Sequence, residues 1–178
     1  GLQRVLSNVK SRGVFGEVQL AGLLEQVFAP DQYASNVETV PGSNKRVEFA
    51  IKFPGTSSEG VVWLPIDAKF PREDYERLLD AQERADADAA ALAGAALERR
   101  IKEEGKSIAQ KYVEPPFTTD FALLFLPTEG LYAEVVRRPG LTDELQRTWR
   151  VVVAGPSTLA AILSSLQMGF RTLAVERR

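Results

Sequence analysis

The stretch Val61-Val62-Trp63-Leu64-Pro65-Ile66-Asp67-Ala68-Lys69-Phe70 is an apolar run that carries an acid and an amine close to its end. Read as a buried strand, it turns Asp67 and Lys69 to one face and Ala68 to the other, because side chains alternate with period two. An unpaired carboxylate or ammonium in such a run is costly to desolvate, so the two must pair with each other or serve a metal. Pro65 cannot donate a ladder hydrogen bond and marks a bend or an edge, where the strand can turn its acid toward a cleft.

Upstream of this run, Tyr33 to Val40 and Val47 to Phe53 read as short strands separated by the turn Pro41-Gly42-Ser43-Asn44. A second loop, Pro54 to Gly60, leads into the quoted strand, so the three form an antiparallel meander. Within the second strand Glu48 falls on the face of Ala50 and Lys52, opposite Val47, Phe49 and Ile51. Before the meander, Ser11 to about Phe28 has helical spacing, with Pro30 ending it. Glu17 on this helix has Gly13, Val14, Leu20 and Ala21 as its neighbours one turn away, so it is an acid on an apolar side. Leu2, Val5, Leu6 and Val9 extend the helical spacing, and residues 1–10 are expected to be the end of an upstream helix.

Downstream, residues 73–112 are rich in Ala, Leu, Glu, Arg and Lys without Pro, which predicts a helical insertion of two helices broken near Asp86 or Gly94. Phe121 to Leu126 is a continuous apolar run, the signature of a strand covered on both faces with a parallel neighbour. Helices over Glu129 to Arg138, Thr142 to Trp149 and Thr158 to Met168, a strand over Val151 to Ala154 and a last strand over Arg171 to Glu176 complete the pattern. The expectation is a single α/β domain over residues 1–178, with extra α/β elements at its C-terminal end.

Composition narrows the chemistry. There is no Cys and no His, which excludes disulfides, thiolate or imidazole metal ligands, a cysteine nucleophile and a Ser-His pair. Any metal must be held by oxygen, which points to Mg²⁺, Mn²⁺ or Ca²⁺. A formal net charge of −2 gives no global attraction to nucleic acid, so DNA contact requires a local basic patch. No apolar run approaches the roughly 18 residues of a membrane span, and the fragment is expected to be soluble, with no membrane contact.

Glu17, Glu48, Asp67 and Lys69 can converge on the meander's one face if the first helix packs there. Three carboxylates and a lysine so close repel one another and suit a hard divalent cation. The pattern is similar to that of a metal-dependent phosphodiesterase: Glu48 and Asp67 hold Mg²⁺ or Mn²⁺, the Ala68 backbone carbonyl adds a ligand, and Glu17 binds through water or a second ion. Lys69 then positions the attacking water or contacts the phosphate.

The order helix Glu, strand acid, Asp-x-Lys, αβββ and then αβ, resembles the PD-(D/E)xK nuclease superfamily. That resemblance implies a restriction-endonuclease-like αβββαβ core with a mixed sheet. Nearer still, Asn8-Val9-Lys10-Ser11-Arg12-Gly13 to Glu17, Pro41-Gly42-Ser43-Asn44, Val47-Glu48-Phe49-Ala50, Pro65-Ile66-Asp67-Ala68-Lys69-Phe70-Pro71, Phe125-Leu126-Pro127-Thr128-Glu129-Gly130-Leu131-Tyr132 and Ala154-Gly155-Pro156 resemble the RmuC family over nearly the whole chain. The resemblance implies a bacterial deoxyribonuclease domain associated with DNA recombination and with limiting rearrangements at inverted repeats. It also implies a cytoplasmic location for this domain, a full-length protein anchored to the membrane at its N-terminus, and association into homo-oligomers through an upstream coiled coil. Where the superfamily often has Asp on the second strand, this chain has Glu48, a longer ligand of the same hard-oxygen type.

Plainer readings stand beside these. Asp67 and Lys69 alone make a salt bridge at a strand end, and Glu48 can pair with Lys52 along its own face. Glu129 reads as a first-turn acid on a helix capped by Thr128, and Gln82 as a surface residue. Lys45, Arg46, Arg72, Lys102 and Lys106 are the candidate phosphate contacts, with the helix lysines interleaved among acids as on an ordinary solvated face. The alternative to a nuclease is a DNA-structure-binding module that keeps the fold and cleaves little or nothing.

Overall fold

The computed structural model describes the backbone of residues 9–54 and 60–176, with side chains described for residues 15–54 and 60–175. The expectation for residues 1–10 therefore falls mostly outside the described residues. Where the chain is described, a helix α1 (Val9–Val27) and a short 3-10 turn (Pro30–Gln32) lead into β1 (Tyr33–Val37), β2 (Val47–Phe53) and β3 (Val62–Ala68). Two helices follow, α2 (Arg72–Glu83) and α3 (Ala87–Tyr112), then β4 (Ala122–Phe125), α4 (Glu129–Arg137), α5 (Leu141–Trp149), β5 (Val151–Ala154) and α6 (Pro156–Glu176).

The strands form one mixed sheet in the order β1-β2-β3-β4-β5. The meander β1-β2-β3 is antiparallel, and β3, β4 and β5 run parallel through helical crossovers. Both faces are buried, as continuous apolar strands require. Leu123 and Phe125 of β4 join Leu64, Ile66 and Ile51 under α1 and α6, while Ala122 and Leu124 join Leu97, Ile101 and Ile108 of α3 on the opposite face.

Local chemistry sets the helix boundaries. Asp86 accepts a hydrogen bond from the Ala89 N–H at 3.0 Å and so caps α3, and Thr128 does the same for α4 through the Leu131 N–H at 3.1 Å. The break in the insertion falls at Arg84 to Asp86, with Ala85 in the left-handed region (φ 55°). Gly94 lies inside α3 instead, where its missing side chain makes room for the Arg138 guanidinium.

One expected element is wrong. Arg171 to Glu176 is not a strand but the last turns of α6. Thr172 and Val175 carry some β propensity, but among the described residues no sheet edge receives them, and Phe170 packs against the rings of Phe28 and Phe53 at 6.0 and 5.1 Å. The segment Pro156–Val175 has a mean hydropathy of 1.3 and is long and apolar enough to cross a membrane, more than the sequence reading allowed. In this fold Leu159, Leu163 and Phe170 of that helix are packed into the cluster under the sheet.

Candidate functional site

β2 and β3 build the floor of the site. Their antiparallel register pairs Phe49 with Ile66 and Ala50 with Pro65, so one step further Glu48 stands opposite Asp67. Both side chains rise from the face that α3 covers, because Phe49, Ile66 and Ala68 turn to the other cluster. Asp67 is only 4% exposed. Lys69, just past the strand, places its Nζ 3.3 Å from Asp67 and 3.6 Å from Glu104 of α3.

Glu17 arrives by a different route from the one expected. α1 packs on the opposite face of the sheet, with Leu20 and Leu24 among Leu64 and Ile66. Its N-terminal part passes the end of β3, and Glu17 reaches around that end into the same cavity. Gly16 makes this passage: a Cβ there would lie 3.2 Å from the Pro127 Cγ and 3.4 Å from the Ala68 Cβ. A cavity of about 460 Å³ results, lined among others by Glu17, Glu48, Ala68, Lys69, Arg72 and Glu104.

The electrostatics follow from burial. Glu48 is pushed up from 4.5 to about 9, first by desolvation, then by a hydrogen bond to Asp67 and the charges of Asp67 and Glu17. At neutral pH Glu48 therefore keeps its proton. Its Oε2 is buried and has no hydrogen-bond partner among the described residues. Burial works to lower the Lys69 amine, but Asp67 and Glu104 outweigh it and the net shift is upward, so Lys69 is a cation. Tyr112 is raised by burial and by Asp67.

Not every expected residue meets the cavity. Among the described residues no three acids stand close enough to form a ready metal cage; Glu48 and Asp67 interact directly, with Glu17 on the cavity wall. Lys52 lies over the Trp63 ring at 5.8 Å. Lys45 and Arg46 stay on the β1–β2 turn, where Arg46 donates to the Asn36 carbonyl at 2.9 Å. Lys102 pairs with Glu144 at 3.2 Å and Lys106 covers Trp149 at 5.6 Å, so both face α5. Of the candidate phosphate contacts, Arg72 lines the cavity. Gln82 is exposed and donates to Glu134 at 3.4 Å. Glu129 accepts from the Ser157 N–H at 2.5 Å, which places it at the start of α6.

Glu104 and Arg100 line the cavity and were not singled out from the sequence. A signal existed for Glu104: it is three residues after Ile101 and four before Ile108, an acid on the apolar stripe of α3. Arg100, one turn earlier, is held by Asp74 at 3.4 Å.

Comparison with known proteins identifies the family. The chain matches the family model described as the RmuC family over residues 1–178. It is 60% identical, over 99% of its length, to a protein of Xylella fastidiosa called DNA recombination protein RmuC homolog, and it spans 39% of that protein. Homologs of the same description from Chlamydia muridarum and Chlamydia pneumoniae are 31% and 27% identical over 93% of the chain, which spans 36% and 37% of them. The chain thus covers well under half the length of these curated relatives. No solved structure matches it significantly. Sequence motifs, the family match and relatives aligned from end to end of the chain lead to one conclusion: it belongs to the RmuC family.

Proposed function

We propose that this chain is a metal-dependent deoxyribonuclease domain of the restriction-endonuclease-like, PD-(D/E)xK type, acting in DNA recombination as the names of its relatives suggest. The observation that carries this reading is the Glu48–Asp67 pair beside Lys69 at the foot of an open cavity, with the buried Glu48 Oε2 unsatisfied. Two carboxyls set side by side across the strands, in a wall of oxygen ligands without His or Cys, fit Mg²⁺ or Mn²⁺. Glu48, Asp67 and the Ala68 carbonyl would hold the ion, with Glu17 acting through water. A bound ion offsets the charge of the scissile phosphate and acidifies water.

The remaining work belongs to side chains of this chain. The Lys69 ammonium, 38% exposed and fixed between Asp67 and Glu104, faces the cavity as a cation that orients water or a phosphate oxygen. Arg72 and Arg100 on the wall can neutralise the flanking phosphates. Hydrolysis forms a bond from water oxygen to phosphorus and breaks one ester P–O bond; the leaving oxygen takes up a proton. Assembly through an upstream coiled coil, and a membrane-anchored full-length protein with this domain in the cytoplasm, form part of the same proposal.

One observation favours the runner-up, a DNA-binding module that does not cleave: the described acids do not make a three-carboxylate cage. A single experiment separates the two. Purified domain with Mn²⁺ is incubated with single strands, duplexes, hairpins and forks beside Asp67→Ala. Cleavage lost in Asp67→Ala supports the nuclease; binding by both proteins with no cleavage by either supports the module.

A further inference from the structure

The acidic cavity is not isolated. Phe70 and Arg72, on its wall, also line a second hollow of about 280 Å³ whose other sides include Phe15, Tyr75, Leu79 and Thr128. The two hollows differ in chemistry. The first is lined by carboxylates and cations; the second is mainly aromatic and aliphatic, with Arg72, Glu76 and Thr128 as its polar members. Phe15 and Leu79 are 40% and 42% exposed, and Phe70 and Tyr75 are half-buried against the core. The Phe15 and Phe70 rings lie 6.3 Å apart at 42°, tilted toward one another rather than stacked shut. Lys69 reaches only the acids, while the next residue, Phe70, lines both hollows. At the junction stands Arg72, its guanidinium held 2.6 Å from Glu76.

A ligand that fits both hollows at once needs an anionic group joined by a short tether to a flat ring with an apolar face. A nucleotide whose base has left the stack has that form. Paired bases inside a duplex do not, because their faces are already covered. Resting on the nuclease reading for the phosphate, we propose that the cleft of Phe15, Phe70 and Tyr75 receives one unpaired base of the strand bound at Lys69, so that the substrate class is single-stranded DNA or a frayed duplex end. Continuity of the two hollows through Phe70 and Arg72 selects this occupant over another apolar one. Stacking on aromatic side chains is indifferent to base identity, so the cleft reads strandedness and not sequence.

The test is a binding measurement with Ca²⁺, independent of cleavage, in which a single abasic position is walked along a short DNA strand. One position should weaken binding by roughly tenfold while its neighbours change little. Phe15→Ala should weaken the unmodified strand by a similar factor and flatten the walk, and Phe15→Trp should restore both. Leu92→Ala, at a residue 74% exposed on α3, serves as a control and should keep the dip. A flat walk in the parent protein, equal affinity for blunt duplex and single strand, or no binding of any strand overturns the proposal. So does a flat walk in which Phe15→Ala changes the oligomeric state, since the cleft then serves a second copy. A dip without cleavage under Mn²⁺ fails the nuclease reading alone; cleavage with a flat walk fails the stacking cleft alone.

Discussion

β3 and β4 are neighbours in one sheet, parallel and covered by helices on both faces, with Ile66 beside Leu123, Asp67 beside Leu124 and Ala68 beside Phe125. β4 is buried and apolar at every position. β3 is equally apolar until Asp67. What differs is the surroundings of one register position: Asp67 has Glu48 across the antiparallel side and Lys69 two residues on, whereas Leu124 sits among Leu97, Ile101 and other apolar residues. A buried acid is tolerated where the sheet turns antiparallel and opens to a cavity, and would not be tolerated one strand over.

Exchanging the two environments breaks this comparison most sharply. Leu124→Asp buries a carboxylate with no partner and should cost about 3 kcal/mol or more in urea unfolding, while Asp67→Leu should unfold at the parent's denaturant concentration or above it. If the nuclease reading holds, Asp67→Leu also loses cleavage by about 10³-fold, a magnitude typical of losing a main electrostatic group. Lys69→Met keeps the bulk and removes the charge; a loss of about 10²-fold in kcat with KM little changed would place Lys69 at the reacting phosphate.

The proton on Glu48 gives a subtler contrast. Its carboxyl is raised from 4.5 to about 9, so the folded state holds a proton that the unfolded state has lost. The stability this contributes is complete below pH 4.5 and disappears as pH rises toward 9. After discounting for partial solvent exposure, about 2 kcal/mol should be lost across that window without metal. Glu48→Gln should flatten the slope, and urea titrations of both proteins from pH 5 to 9 measure it. Added Mg²⁺ should recover stability at high pH and release protons on binding, seen as a buffer-dependent heat in calorimetry. Smallest of all, Glu104→Gln leaves Lys69 with one carboxylate partner and should slow cleavage only severalfold, with Glu104→Asp recovering part of the loss and the pH profile shifting in the glutamine variant alone.

Much of this comparison was legible in the sequence. The period-two pattern of Trp63 to Lys69 placed Asp67 and Lys69 on one face, and the parity of Glu48 in its strand put it on the same side. A parallel neighbour was read from the continuous apolar run at Phe121 to Leu126, and the mixed sheet from the family resemblance. Long-range docking was not legible. Which flank of α3 meets the site is decided at Gly105, whose missing side chain leaves a notch filled by Leu145 of α5. With α5 seated there, Lys102 and Lys106 turn toward it, and Glu104 and Arg100 are left to the cavity. Spacing within α3 marks Glu104 as an acid on the apolar stripe but does not say which neighbour that flank meets. The end of α6 was missed for a related reason, since a preference for strand has no effect where no open edge is within reach.

Gly16 puts stability and activity in competition at a single residue. Alanine is the better helix former by about 1 kcal/mol, so a screen for thermal robustness would favour Gly16→Ala. Yet the added methyl would lie 3.2 Å from the Pro127 Cγ and 3.4 Å from the Ala68 Cβ, so either the Pro127 ring or α1 has to yield by a few tenths of an ångström. Glu17 is the next residue, and it would be the first to leave the cavity. Where α1 is the part that yields, helix propensity is gained at the expense of the site.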